Sequence, residues 1–206
     1  MIYAAKRLGL GMPTKKKKPS RRSRRYPELM EPGEKVQIDV KEVPYNCLRG
    51  AAKRDGKHLY QWTAIDECTR IRVVYGFEEH TPENTVKFFK LLQEAFPFPI
   101  QKVQTDNGTE FTYKYISEEK DSPFDALLKE LEIPHVLIPP RTLWHNGKVE
   151  RSHRNDQRYF YDWETFKDVD ELNERLRKHL VWSNNKPMRT LDYKSPMQLL
   201  EEKLNK

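Results

Sequence analysis

The sequence predicts an α/β domain built on a mixed five-stranded sheet flanked by helices, with a basic N-terminal arm ahead of it. Three observations predict this. Val36, Ile38 and Val40 alternate with Gln37, Asp39 and Lys41, and two more β-branched and aromatic runs follow, giving three antiparallel strands in succession. Beyond residue 100, short apolar runs alternate with helical stripes, which adds two strands separated by helices. Finally, the first 27 residues carry ten Lys or Arg and no acid, while the other 28 basic residues face 31 acids, a net of −3 for residues 28–206. The basicity therefore lives in an arm, residues 1–32, and the domain is residues 33–206.

The elements follow in order. Residues 1–10 have the pattern of a short amphipathic helix, stopped by Gly9, Gly11 and Pro13. Residues 14–32 are rich in Lys, Arg, Ser and Pro, without periodicity, and read as a linker. After the first strand, residues 44–57 are polar and turn-like, with Asp55-Gly56 as a hairpin signal. Strands over 58–65 and 70–77 flank a tight turn in the DECT stretch. Thr81-Pro82-Glu83 starts a helix: Thr as the cap, Pro at the first helical position, an acid in the first turn. Its stripe of Val86, Phe89, Leu92 and Phe96 ends before Pro97. A short strand over 102–106 and a short helix over 125–131 come next. The apolar run over 133–138 suits a strand buried on both faces. A long helix runs from Gly147 to Tyr161, and Val169, Leu172, Leu176 and Leu180 mark another, ending at Ser183-Asn184-Asn185.

Composition excludes several classes. Charged residues make up 33% of the chain, and no run approaches the roughly 18 apolar residues of a membrane span. The first residues lack the apolar core of a secretory signal. Cys47 and Cys68 form no metal-type pair and are too few for a disulfide framework, which suits a reducing, cytoplasmic setting with no membrane partner.

Three acids stand out as candidate metal ligands: Asp39 and Asp106 at the polar sides of short strands, and Glu150 in the first turn of a helix. Gathered together they would offer hard oxygen ligands suited to Mg²⁺ or Mn²⁺. Two such ions can clamp the attacking and leaving oxygens of an in-line phosphoryl transfer. Each residue has a plainer reading. Asp106-Asn107-Gly108 reads equally as a turn, and Glu150 as an acid favoured by the helix dipole. Asp39 is the least ordinary, because strands disfavour Asp. Asp66 reads as a hairpin residue and not as a fourth ligand.

The local sequences around these acids point to a family. VQIDVKEVP, AIDECTRIRVVYGF, QTDNGTEF, HNGKVERSHR and the tail SNNKPMRTLDYKSP resemble the catalytic core of the integrase and transposase superfamily with an Asp-Asp-Glu triad, and most of all bacterial insertion-sequence transposases. The resemblance spans residues 33–200. It implies a ribonuclease H-like fold, a two-metal site holding Mg²⁺ or Mn²⁺, and DNA cleavage followed by strand transfer by a homo-oligomer on DNA. Carried over, Asp39, Asp106 and Glu150 are the metal ligands and catalytic triad, and Asn146 with Gly147 matches the family's loop-to-helix turn. Two departures stand out. The 43 residues between Asp106 and Glu150 exceed the common spacing, with the extra length expected in a surface loop over 113–122. Met188 stands where many relatives have a histidine. Residues 1–10 resemble the last helix of an upstream helix-turn-helix region. Two alternatives accompany the resemblance: a truncated, catalytically idle fragment that binds DNA or a partner, and a ribonuclease H-type nuclease.

DNA contacts are expected in three places. Arg151, Arg154 and Arg158 follow the i, i+3, i+7 rule and form a row beside Glu150, with Lys148 nearby, able to hold backbone phosphates. A lone His153 near that face is more often a hydrogen-bonding residue than a ligand. The loop over 141–147, between Pro139-Pro140 and Gly147, is expected to order when metal and DNA bind, with Trp144 stacking on DNA beside Asn146. The arm offers Lys15, Lys16, Lys17, Lys18, Arg21, Arg22, Arg24 and Arg25 to phosphates.

Overall fold

The computed structural model describes residues 31–117, 120–139 and 146–205. The arm, its expected helix over 1–10, and the loop from residue 140 to 145 with Trp144 lie outside the described residues.

The sheet has five strands: β1 (Val36–Glu42), β2 (Tyr60–Asp66), β3 (Arg72–Phe77), β4 (Val103–Thr105) and β5 (His135–Leu137). Their order is β3-β2-β1-β4-β5. The first three strands pair antiparallel, and β4 and β5 add in parallel to β1. This is the mixed sheet the alternation predicts, with β1 at its centre. Six helices accompany it among the described residues: α1 (Gly50–Arg54), α2 (Pro82–Ala95), α3 (Pro123–Glu130), α4 (Gly147–Asp156), α5 (Val169–Asn185) and α6 (Pro196–Leu204).

Alternation divides the core in two. Val36 and Ile38 of β1 and Trp62 and Ala64 of β2 point to one side, where Phe88, Phe89 and Leu92 of α2 and Phe124 and Leu128 of α3 cover them. The indole N–H of Trp62 donates to Thr85 Oγ1 at 3.0 Å, which pins α2 to the sheet. On the other side Val74, Leu59, Phe160, Phe166, Leu172 and Leu176 form a second cluster with Cys47 and Leu48. Thr81 caps α2 as predicted, its hydroxyl accepting from the Asn84 N–H, with Pro82 at the first position.

Three expectations are corrected. Residues 44–57 are not merely turns: a 3₁₀ turn (Tyr45–Cys47) and α1 carry Cys47, Leu48 and Ala52 into the interior. β5 is not buried on both faces. It is the outermost strand and only three residues long, with Val136 37% exposed, and α3 reaches it through His135, whose Nδ1 lies 2.7 Å from Asp125 Oδ1. The helix from Gly147 also changes pitch: α4 ends at Asp156, and Gln157–Tyr161 continue as a π-helical turn.

The open edge of β3 is occupied by side chains. Asn173 of α5 accepts from the Gly76 N–H at 2.7 Å and donates to the Gly76 carbonyl at 3.0 Å. Three turns later Asn184 makes the same pair of bonds with Arg72, at 3.1 and 2.9 Å.

Candidate active site

The polar side of β1 is where the site begins. Gln37, Asp39 and Lys41 share that side, two residues apart, and α4 with the start of its π-helical extension lies along it through Val149, His153 and Gln157, four apart. Strand and helix advance at nearly equal rates over these intervals, about 6.6 Å for two strand residues and 6.0 Å for four helical ones. The two rows therefore stay in step. Gln37 Oε1 accepts the Val149 N–H at 3.2 Å, His153 Nδ1 lies 3.4 Å from Asp39 Oδ2, and Lys41 Nζ donates to Gln157 Oε1 at 3.0 Å. The first rung also caps the helix, because Asn146 at its start makes no capping bond. Matched spacings of two and four were present in the sequence and could have disclosed this pairing.

Below the ladder a buried polar cluster fastens the same helix. Asp156, fully buried, takes two hydrogen bonds from the Arg72 guanidinium at 2.9 and 3.0 Å and lies 2.9 Å from His179 Nε2. Gln61 of β2 donates to it at 3.1 Å and accepts from the Tyr161 hydroxyl. Burial disfavours the Asp156 carboxylate, but Arg72, His179 and Gln61 outweigh it and hold the group well below the usual range.

The three predicted acids come from three elements. Asp39 sits at the middle of β1, Asp106 directly after β4, and Glu150 in the first turn of α4. Asp106 is held by its own turn, its Oδ1 accepting the Gly108 N–H at 3.0 Å, while the Asn107 amide donates to the Ile138 carbonyl at 2.8 Å. Gly108 lies against the Glu110 carboxylate, which a Cβ at 108 would push aside. Glu110 itself is a fourth acid that the sequence motifs left unassigned, buried and paired with His80 at 2.8 Å.

Asp39 feels the other acids. Burial pushes the Asp39 carboxyl up to about 8, and the charges of Asp106, Glu150 and Glu110 add to the rise against one backbone N–H, that of Val40. Burial likewise drives His153 down to about 4, with Lys41 and Arg72 reinforcing it and Asp156 opposing. A neutral imidazole thus faces a carboxyl that resists ionisation. In kind the donors fit a hard divalent cation, which would relieve the repulsion that holds the proton on Asp39. Among the described residues, no three His, Cys, Asp or Glu side chains are gathered closely enough to hold a metal ion.

The remaining predicted DNA-binding residues are placed as follows. Arg151, Arg154 and Arg158 are exposed along α4 and its extension. Lys148 is turned to Glu67, which also takes Lys35 at 3.0 Å and the Gln37 amide at 2.6 Å. Burial opposes ionisation of Glu67, but Lys148 and Lys35 prevail and keep it below its ordinary value. Asn146 is buried with its Oδ1 unpartnered, as is the Oδ1 of Asn107. Asp66 is the hairpin residue expected, accepting from Gly33 N, Thr69 N and Thr69 Oγ1 at 3.0, 2.7 and 2.7 Å.

Comparison with known proteins completes the description. The sequence model of the family described as Integrase core domain matches residues 30–142. ORF3 of Spiroplasma virus SpV1-C74, an integrase by name, is 28% identical over 153 residues, 70% of this chain and 42% of that protein. The retrovirus-related Pol polyprotein from transposon RE1 of Arabidopsis thaliana is 29% identical over 102 residues, 48% of this chain and 6% of that protein. The chain thus spans less than half of these relatives. Among solved structures, the simian T-cell lymphotropic virus intasome aligns at a TM-score of 0.63 with 19% identity, over 83% of this chain and 55% of that one. The HTLV-2 integrase catalytic core domain, solved with magnesium, aligns at 0.57 with 19% identity, over 82% and 97%. The architecture is the ribonuclease H-like fold of these cores.

Proposed function

Because the chain belongs to the integrase core domain family, we propose that it is the catalytic core of a DNA transposase or integrase, using Asp39, Asp106 and Glu150 for metal-dependent cleavage and strand transfer. The observation that carries this reading is placement: Asp39 lies on the central strand, Asp106 directly after the neighbouring strand and Glu150 in the first turn of the helix laid along β1, and Asp39 is raised by burial first and then by the charges of the other two. The three acids come from segments distant in sequence, β1, the turn after β4 and the first turn of α4, and bringing them closer around a cation is part of the proposal.

Asp39, Asp106 and Glu150 would hold Mg²⁺ or Mn²⁺, two ions on this reading, whose chemistry when bound is to neutralise charge on the attacking and leaving oxygens of a phosphodiester. The chain's own residues do the rest. β1 and α4, in step along the ladder, set where Glu150 stands relative to Asp39. The neutral His153 leaves Asp39 free to shed its proton when a cation arrives. Arg154, one turn beyond Glu150, offers a bidentate grip on a backbone phosphate. Action as a homo-oligomer on DNA, in a cytoplasmic setting, belongs to the same proposal. Among the described residues, no helix is long and apolar enough to cross a membrane.

The test is nicking of duplex DNA carrying the flanks of the coding region, with Mg²⁺ or Mn²⁺, by wild type and Glu150→Gln. Wild type should nick, and the variant should lose at least about a thousandfold in rate, roughly 4 kcal/mol of barrier. Equal rates would remove Glu150 from the chemistry.

A further inference from the structure

Around α4 from the triad lies a cleft of about 230 Å³, bounded by α4 and its π-helical extension, the end of α5 and the β2–β3 hairpin. Its wall is aromatic. Tyr159 and Trp182 stand with ring centroids 5.5 Å apart, and 40% and 45% of their surfaces are exposed. Lys186 lies over both, its Nζ 3.8 Å from the Tyr159 centroid and 4.6 Å from that of Trp182. Arg70, Lys148 and Arg151 also line the cleft. The acid lining it, Asp156, is fully buried and satisfied by Arg72, His179 and Gln61, so the cleft presents cations and rings but no free carboxylate.

Helix geometry joins this cleft to the triad. At about 100° per residue, Glu150, Arg154, Arg151 and Asn155 follow one another around α4, and the π-helical turn beyond it carries Arg158 and Tyr159. All but Glu150 are exposed, and no other acid interrupts the arc. A strand with its scissile phosphate at Glu150 would cross three arginines and arrive at the two rings.

We propose that this cleft is a nucleotide subsite for the DNA strand leaving the triad, with a base against Tyr159 and Trp182 and its phosphate between Arg151 and Lys186. The inference rests on the DNA reading above and adds Tyr159, Trp182, Lys186 and Asn155 to the surface. Lys186 covers the rings in the free protein, and its flexible stem lets it lift to a phosphate when a base takes its place. Bases of any sequence can stack there, so the subsite adds grip without sequence choice.

The full chain is incubated in EDTA with single-stranded oligonucleotides carrying 5-iodouracil, irradiated, and mapped by mass spectrometry. The expected result is adducts on Tyr159 or Trp182. Affinity should fall about tenfold in Trp182→Ala and recover in Trp182→Phe. Lys186→Gln, at the half-buried C-terminal cap of α5, should lower the salt slope on single strands by about 0.7. Should Trp182→Ala fail to fold, wild-type mapping and Lys186→Gln decide the matter alone. Adducts only elsewhere, with unchanged affinity and slope in Lys186→Gln, would overturn the proposal. Nicking without these adducts would sink the subsite and spare the triad; adducts without nicking would do the reverse.

Discussion

Asp39 is more stable as an acid, whereas the proposed metal site calls for its carboxylate. Its carboxyl stays protonated to about 8 in the folded chain, against about 3.9 in an unfolded one. The folded state therefore binds the proton more tightly, so this residue's contribution to stability is full below about pH 4 and declines as pH rises toward 8. Asp39→Asn removes the titration while keeping the side-chain volume. We expect it to stabilise the metal-free protein at pH 7.5 by more than about 1 kcal/mol and to abolish nicking. Mg²⁺ should raise the melting temperature of wild type and leave that of Asp39→Asn nearly unmoved, as calorimetry would show. A variant that melts lower than wild type without metal would mean that Asp39 is not under strain. Asp156 has the opposite sign. Its carboxyl is depressed by Arg72 and His179, so its stabilisation is present above about pH 4 and lost as pH falls. Asp156→Asn should cost about 3–5 kcal/mol in urea unfolding at pH 7, since it leaves the Arg72 charge buried without its partner.

At the scale of elements, β1 and α4 act as one unit. Gln37→Ala removes the acceptor that closes the start of α4, and we expect about 1 kcal/mol of lost stability together with a larger loss of nicking rate, because Glu150 sits in that first turn. Loss of stability with an unchanged rate would show that the ladder holds the helix without aiming the acid. Much of this architecture is legible in the sequence. The alternation in β1 and the Thr81-Pro82 start of α2 are local, and local signals survive folding. The proposed triad is legible only through its flanking motifs, since Asp106-Asn107-Gly108 alone is an ordinary turn. What escapes is tertiary. Cys47 and Leu48 look like residues of a polar loop until Phe160 and Phe166 pack on them. β5 reads as a doubly buried strand because its apolar run gives no sign of lying at the edge of the sheet. Glu110 hides within the motif that already supplies Asp106, and α6 goes unnoticed although Ser195 and Gln198 form its capping box.

The whole molecule divides its charge: a basic arm joined to a slightly acidic domain. Removing residues 1–25 takes away ten cations, and the plot of log affinity for DNA against log salt should flatten, by about 0.9 for each phosphate that the arm no longer neutralises. An unchanged slope would show that the arm is not a phosphate ligand. Assembly on DNA meets a second constraint, set by the two asparagines against β3. A sheet edge left open is a template for another chain's backbone. Asn173 and Asn184 fill the outward N–H and C=O groups of Gly76 and Arg72, so α5 serves as a decoy strand and insulates that edge. Along that edge, copies of this chain would meet through side chains, which can part again, and not through a continuous ladder. Asn173→Leu with Asn184→Leu strips the insulation, and light scattering should then report irreversible, concentration-dependent association beyond that of wild type.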